Sequence, residues 1–226
     1  MAARRARKRP LIVVLAGVNG AGKSSAGGAV LEEQDLTWFN PDAFSRALMA
    51  RSGASKDIAD GDAWAYGKAC LEAAIADGTD FAFETTLGGN TMAQLIGDAA
   101  ATHDVIMIFW GLDSVERHIE RVRLRVRHGG HDIPEERIRK RWASARQNLI
   151  ALLPRLAQLQ VFDNSREAPP GADIPEPVLV LERKDGRVLY PGRDDVEALQ
   201  ATPEWAKPIV EAAFRCDESN DGTARA

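Results

Sequence analysis

Leu11-Ile12-Val13-Val14-Leu15-Ala16 runs directly into Gly17-Val18-Asn19-Gly20-Ala21-Gly22-Lys23-Ser24, and this junction decides the fold. The first six residues are continuously apolar and rich in β-branched side chains. That is the composition of a strand buried on both faces of a parallel sheet. The next eight meet the pattern G-x-x-x-x-G-K-[ST] at every fixed position. The spacing has a mechanical reading. Glycines at 17, 20 and 22 let the backbone curl so that its N–H groups converge on phosphate oxygens. Lys23 is placed to reach the β- and γ-phosphates, and the Ser24 hydroxyl to ligate Mg²⁺. From Ser24 to Glu33 the sequence reads as a helix, whose positive end would face the same phosphates. A glycine-rich turn can match by chance, but a place between a buried-strand pattern and a helix is the context that distinguishes the motif. Gly17, Asn19, Gly20, Ala21, Gly22, Lys23, Ser24 and Ser25 therefore form the candidate site for ATP with magnesium.

Bulk properties narrow the class. The chain has 226 residues, 45% hydrophobic and 27% charged, as expected of one globular α/β domain. No apolar run approaches the roughly 20 residues of a membrane span. Residues 1–10 carry Arg4, Arg5, Arg7, Lys8 and Arg9 and read as a short solvated basic arm rather than a signal segment. Only Cys70 and Cys216 occur, so neither a disulfide framework nor a zinc motif is written here, and a reducing cytoplasm fits. The net charge of −4 gives no general pull toward nucleic acid.

Further along, Leu36–Phe39 reads as a second short strand that ends in Asn40-Pro41-Asp42. Asn40 suits an N-cap, Pro41 the first helical position and Asp42 the first turn. Asp42 has two readings. It either only favours the helix dipole, or it is a general base at the ligand side of the sheet. Asp60 to Asp77 reads as a helix with Trp64, Cys70 or Leu71, and Ala74 on its apolar face, stopped by Gly78. The strand Asp80–Glu84 delivers Glu84, Thr85 and Thr86 to its C-terminal end. There they suit substrate hydroxyls or magnesium-bound water, or simply a solvated strand end before a helix over Asn90–Ala101. Val105–Trp110, the most hydrophobic strand, leads to Asp113. That residue resembles the acid that follows an apolar strand in nucleotide-binding folds, but Asp113-Ser114-Val115-Glu116 is also a capping box, and the cap is favoured.

A basic segment follows. From Arg117 to Arg146 there are ten Lys/Arg and four Asp/Glu. Val115, Ile119, Val122 and Val126 form a helical apolar stripe, with Arg117, Arg121 and Arg125 in an i, i+4 row beside it. Gly129-Gly130-His131 breaks that helix. Asp132–Glu135 reads as the cap of the next, whose stripe is Ile138, Trp142, Ala145, Leu149, Leu152 and Leu156. With acidic partners scarce in the segment, the arginines repel one another unless an anion neutralises them, and a polyphosphate is such an anion. Trp142 alone offers a stacking ring, which argues against single-stranded nucleic acid. Gln160–Phe162 reads as the last core strand, ending in Asp163-Asn164-Ser165. A Pro-rich loop over 169–177 leads to a hairpin at about 178–190, turned by Asp185-Gly186. A helix over Pro203–Phe214 and a polar tail over 217–226 complete the chain.

Several of these pieces, taken in order, resemble the zeta-toxin-like P-loop kinases. They are Gly17–Ser24, Asn-Pro-Asp at 40–42, Glu-Thr-Thr-Leu at 84–87, Gly-Leu-Asp-Ser at 111–114, the run from Arg121 to Gly-Gly-His at 129–131, and Asp-Asn-Ser at 163–165. The resemblance implies an ATP- and Mg²⁺-dependent kinase acting on a hydroxyl of a small molecule. The best-known acceptor is the sugar of UDP-N-acetylglucosamine, and the toxic members are held off by an antitoxin protein. It implies Lys23 and Ser24 as phosphate and magnesium residues and Asp42 as base. Asn40, Glu84, Thr85, Thr86 and Arg121 are then substrate-side groups. Arg125 and Arg141 are the lid arginines of choice, with Arg121 and Arg139 as rivals. The resulting expectation is one α/β P-loop domain over 11–216, nucleoside-kinase-like, with a mainly parallel sheet and helices on both faces. An arginine-rich helical lid spans about 117–146, and a small C-terminal β-hairpin follows. Kinases of other acceptors, and an ATP-binding switch acting on a partner protein, are the alternative readings.

Overall fold

The computed structural model describes residues 9–24, 38–130, 132–168 and 175–223. Its centre is a six-stranded sheet in the order β2-β1-β3-β4-β5-β6. The strands are β1 (Leu11–Ala16), β2 (Phe81–Thr85), β3 (Asp104–Gly111), β4 (Gln158–Asp163), β5 (Val178–Lys184) and β6 (Arg187–Tyr190). β1 pairs in parallel with both β2 and β3, and β3 with β4. The chain thus leaves β1 toward one side for β2 and returns to its other side for β3. That change of direction opens a crevice at the C-terminal end of β1, where open α/β sheets bind ligands. The phosphate-loop motif begins at that end. Phe39 adds a single parallel bridge outside β2, through Phe39 N to Ala82 O and Glu84 N to Phe39 O, both 2.9 Å. This is the described part of the strand read over Leu36–Phe39.

The alternation of β1 explains its wholly apolar sequence. Ile12, Val14 and Ala16 face one large core, and Val13 and Leu15 face a second, smaller one with Ala82, Ile108 and Trp110. Helices α1 (Pro41–Ser52), α2 (Lys56–Asp77), α3 (Asn90–Ala99), α4 (Val115–Arg127), α5 (Glu135–Leu152), α6 (Val196–Ala201) and α7 (Lys207–Thr223) connect and cover the strands. The large core takes side chains from α2, α3, α4, α5 and α7. Trp38 and Phe162 pack on the smaller core. The helix read over Ser24–Glu33 lies, beyond Ser24, within residues 25–37, outside the described residues, as does Ser25.

Several expectations shift. On α2 the buried stripe is Ala59, Ala63, Gly67, Leu71 and Ala74, so Leu71 takes the place offered to Cys70. Trp64 is 49% exposed rather than in the core. Gly67 is small because the Phe39 ring lies against it: a Cβ there would stand 2.5 Å from that ring. Ser114, not Asp113, caps α4 by accepting from Arg117 N, while Asp113 pairs with the Arg117 side chain. α5 has no side-chain cap, with Pro134 at the N-cap position and Glu135 and Glu136 in the first turn. The hairpin is not an appendage: β5 and β6 continue the main sheet antiparallel to β4. The helix read over 203–214 begins at Lys207 and runs to Thr223, so residues 217–223 are helical rather than a tail. Asp217 accepts from Val188 N, tying this helix to β6. Arg9, assigned to the solvated arm, donates to the carbonyls of Ala100 and Thr102 and pairs with Asp104. Among the described residues no helix is long and apolar enough to cross a membrane.

Candidate active site

The motif after β1 is held from three sides. Gly17 has φ +141°, and a Cβ there would lie 2.3 Å from Trp110 O of β3, so only glycine lets the loop leave the sheet at this point. Gly22 has φ +92°, with Asn164 Nδ2 where a side chain would stand. That same amide donates to Ala21 O at 2.8 Å. From α4, buried His118 donates through Nδ1 to Asn19 O at 2.8 Å, because a carbonyl can only accept. Burial lowers the His118 pKa to about 4; the bond to Asn19 opposes this, and the nearby Lys23 and Arg121 charges add to the lowering. It is therefore neutral at pH 7.

Lys23 is only 6% exposed, with Nζ 3.5 Å from Glu84 Oε1 and 3.5 Å from Val18 O. The other Glu84 oxygen accepts from Ser24 Oγ at 2.9 Å and from Asn40 Nδ2 at 3.0 Å. Asn40 Oδ1 meanwhile caps α1 through Ala43 N. Glu84 therefore gathers the loop lysine, the loop serine and the start of α1 at the ends of β1 and β2. A hydroxyl and a carboxylate side by side are hard oxygen donors of the kind that suit Mg²⁺. Among the described residues no group of three or more His, Cys, Asp or Glu could hold a metal alone, so the phosphates of a nucleotide would have to complete such a site.

Beside this cluster lies a pocket of about 190 Å³ between the loop, α1, α2 and the start of α5. Lys23, Glu84, Thr85, Thr86, Asp42 and Arg141 all line it. Asp42 Oδ2 stands 3.6 Å from Arg125 Nη1. Arg141 Nη1 donates to Asn19 Oδ1 at 2.8 Å. Burial lowers the Arg141 pKa, and the Arg137 charge lowers it further. Gly88 makes room for Arg141, since a Cβ there would come within 2.6 Å of the arginine Cγ. Asn148 and Ser144 on α5 donate to Leu87 O and Gly88 O, so the loop after β2 is bonded to the lid helix.

The structure therefore brings together Asp42, Lys23, Ser24, Asn40, Glu84, Thr85, Thr86 and Arg141, with Arg125 on Asp42. Arg121 is elsewhere. It lies beside Gly20 and donates to Arg166 O at 3.4 Å, outside the pocket. Arg139, the other rival, pairs with Glu116. The expected mutual repulsion of the lid arginines is also corrected. Arg117 pairs with Asp113 and Glu167, Arg123 with Glu135, and Arg125 with Asp42. Three of these carboxylates lie outside the 117–146 window, so counting charges within it could not find them. His118, Asn148 and Ser144 carry no spacing signal, each being a lone polar residue on a helix, and Asn164 was legible only as part of the Asp-Asn-Ser turn, not as the group that braces the phosphate loop. Asp163, in the Asp-Asn-Ser turn, accepts from Trp205 Nε1 and Ser165 Oγ and so braces the end of β4.

A phosphate-binding loop at the switch point of a parallel sheet, with a helical segment against it, defines an α/β P-loop fold. Residues 2–193 match the Zeta toxin family, and the chain belongs to that family. An uncharacterized protein of Haemophilus influenzae (strain ATCC 51907 / DSM 11121 / KW20 / Rd) is 29% identical over 133 residues, covering 56% of this chain and 88% of that protein. A chain in the crystal structure of AvrRxo1-ORF1:-ORF2 with ATP superposes at a TM-score of 0.60 with 15% identity. That match covers 87% of the present chain but only 64% of the other. The PezAT chromosomal toxin–antitoxin system of Streptococcus pneumoniae gives a TM-score of 0.48 at 14% identity, covering 72% of this chain and 70% of that one.

Proposed function

We propose that this protein transfers the γ-phosphate of ATP to a hydroxyl of a small molecule, with a nucleotide sugar such as UDP-N-acetylglucosamine as the leading acceptor. The observation that carries this reading is the shared pocket. Asp42 lines it from α1, and Lys23 of the phosphate loop lines it from β1. A hydroxyl held between them has a carboxylate for its proton and a phosphate within reach.

Lys23, Arg141 and the loop amides hold the triphosphate. Ser24 and Glu84 are the residues that would hold Mg²⁺, which when bound spreads the phosphate charge. An Asp42 oxygen takes the proton of the acceptor hydroxyl. The hydroxyl oxygen bonds to the γ-phosphorus as the bond to the bridging oxygen breaks, leaving ADP and a phosphomonoester. Arg125 now rests on Asp42. Turning it from the carboxylate to the transferring phosphate would free the base and neutralise the developing charge in one movement. An antitoxin protein is the partner that family membership suggests. The test is incubation of the purified protein with γ-labelled ATP, Mg²⁺ and a small-metabolite pool, read by mass spectrometry. Label is expected in a phosphorylated nucleotide sugar. Label found only as free phosphate overturns the kinase reading.

A further inference from the structure

The cations in and around the pocket are not equally committed. Four lid arginines, 117, 123, 125 and 139, are each paired with a carboxylate. Arg141 is bonded to Asn19 of the phosphate loop. Arg137, one helical turn before Arg141, also lines the pocket and has no carboxylate partner among the described residues. Its nearness is felt at Arg141, whose pKa its charge helps to lower. Two guanidinium groups on one helix face, directed into one cavity, repel each other until anions occupy them.

The proposed reaction uses most of the remaining charges. The ATP phosphates take Lys23 and Arg141. Glu84 is engaged by Ser24, Asn40 and Lys23. Lys56 pairs with Asp60 at 3.2 Å, and Asp60 also accepts from buried Ser45 at 2.6 Å, so that pair is held and neutral. Asp42 receives the hydroxyl. Arg137 is left over, in the pocket that Asp42 also lines. Trp64 also lines the pocket, from α2, with its ring half-exposed where a core position was expected. Ala63, Gly67 and the Phe39 ring that packs on Gly67 line the pocket beside it. An indole in that setting is a platform for the flat face of a sugar or a base.

We propose that Arg137 and Trp64 are the acceptor-recognition residues, Arg137 binding a phosphate or carboxylate borne by the acceptor and Trp64 stacking on its ring. This rests on the kinase reading above and deepens it: Arg137 and Trp64 are the groups that select an acceptor by its anionic group and its ring, so that a neutral sugar or nucleoside is a poor substrate.

The experiment is steady-state transfer of γ-label to matched acceptor pairs. N-acetylglucosamine 1-phosphate against N-acetylglucosamine, with UDP-N-acetylglucosamine beside them, examines a phosphate source. Gluconate against glucose examines a carboxylate source. Label is expected in the anionic member of a pair. Arg137→Gln should raise KM for that acceptor about tenfold or more, the loss of a charge-assisted contact, with KM for ATP changed less than about twofold. Arg137→Lys should recover part of the loss, and Trp64→Ala should raise the acceptor KM while Trp64→Phe does not. Equal transfer to charged and neutral partners, or an Arg137→Gln effect on KM for ATP alone, overturns the proposal and leaves the kinase reading standing. Free phosphate as the sole labelled product overturns both. Arg137 is exposed, so the variant is expected to fold.

Discussion

Replacing Asp42 by Asn separates its two roles, because the structure makes one small and the other large. As a structural group the carboxylate sits in the first turn of α1 and 3.6 Å from Arg125, with both side chains well exposed at 41% and 37%. An exposed pair of that kind contributes about 0–1 kcal/mol, and a first-turn carboxylate about 0.3–1 kcal/mol through the helix dipole. The amide keeps the shape of the side chain, and the cap of α1 belongs to Asn40. The expected loss of stability is thus about 1 kcal/mol, a fall in Tm of about 2–4 °C for a chain of this size. As a general base the same group is worth about 10²–10⁴ in rate, or about 3–5 kcal/mol of barrier. The assay has three readouts on one preparation: thermal unfolding, equilibrium binding of an ATP analogue, and γ-label transfer. Transfer should fall at least about a hundredfold, with ATP binding and Tm nearly unchanged. Transfer within about twofold of the unmutated rate would refute Asp42 as the base. Loss of ATP binding in parallel with transfer would refute the separation itself.

Glu84→Gln removes the charge beside buried Lys23 and is expected to destabilise the free protein by about 3 kcal/mol, since a buried charge is left without its partner. ATP supplies new anions for Lys23, so the nucleotide should raise Tm more in this variant than in the unmutated protein; an equal rise would count against a shared site. Stability should also fall as the pH drops from about 6.5 toward 4. His118 is neutral when folded, with its pKa lowered to about 4, and ordinary when unfolded. The unfolded chain therefore binds the proton first, and the accumulated loss is about 3 kcal/mol across that window. Urea unfolding at a series of pH values reads this directly, and His118→Asn should flatten the slope in the same window.

Local features of the sequence carried a great deal. The junction of Leu11–Ala16 with Gly17–Ser24 specified a buried strand and a phosphate loop, because both depend on residues adjacent in the chain: an apolar run and glycines at fixed intervals. Asn40-Pro41 specified the start of α1 for the same reason, since capping is completed within four residues. The rest depended on residues distant in sequence. Glu84 meets Ser24 across 60 positions and Arg141 meets Asn19 across 122, contacts that exist only because β1 and β2 lie side by side and α5 folds back over the loop. Charge counting within 117–146 suggested a group of unneutralised arginines, whereas Asp113 and Glu167 pair with Arg117 and Asp42 with Arg125, all from outside that window. Composition measures charge along the chain, while electrostatic energy depends on distance in space. Which arginines remain for an anion was therefore decided by the tertiary structure alone.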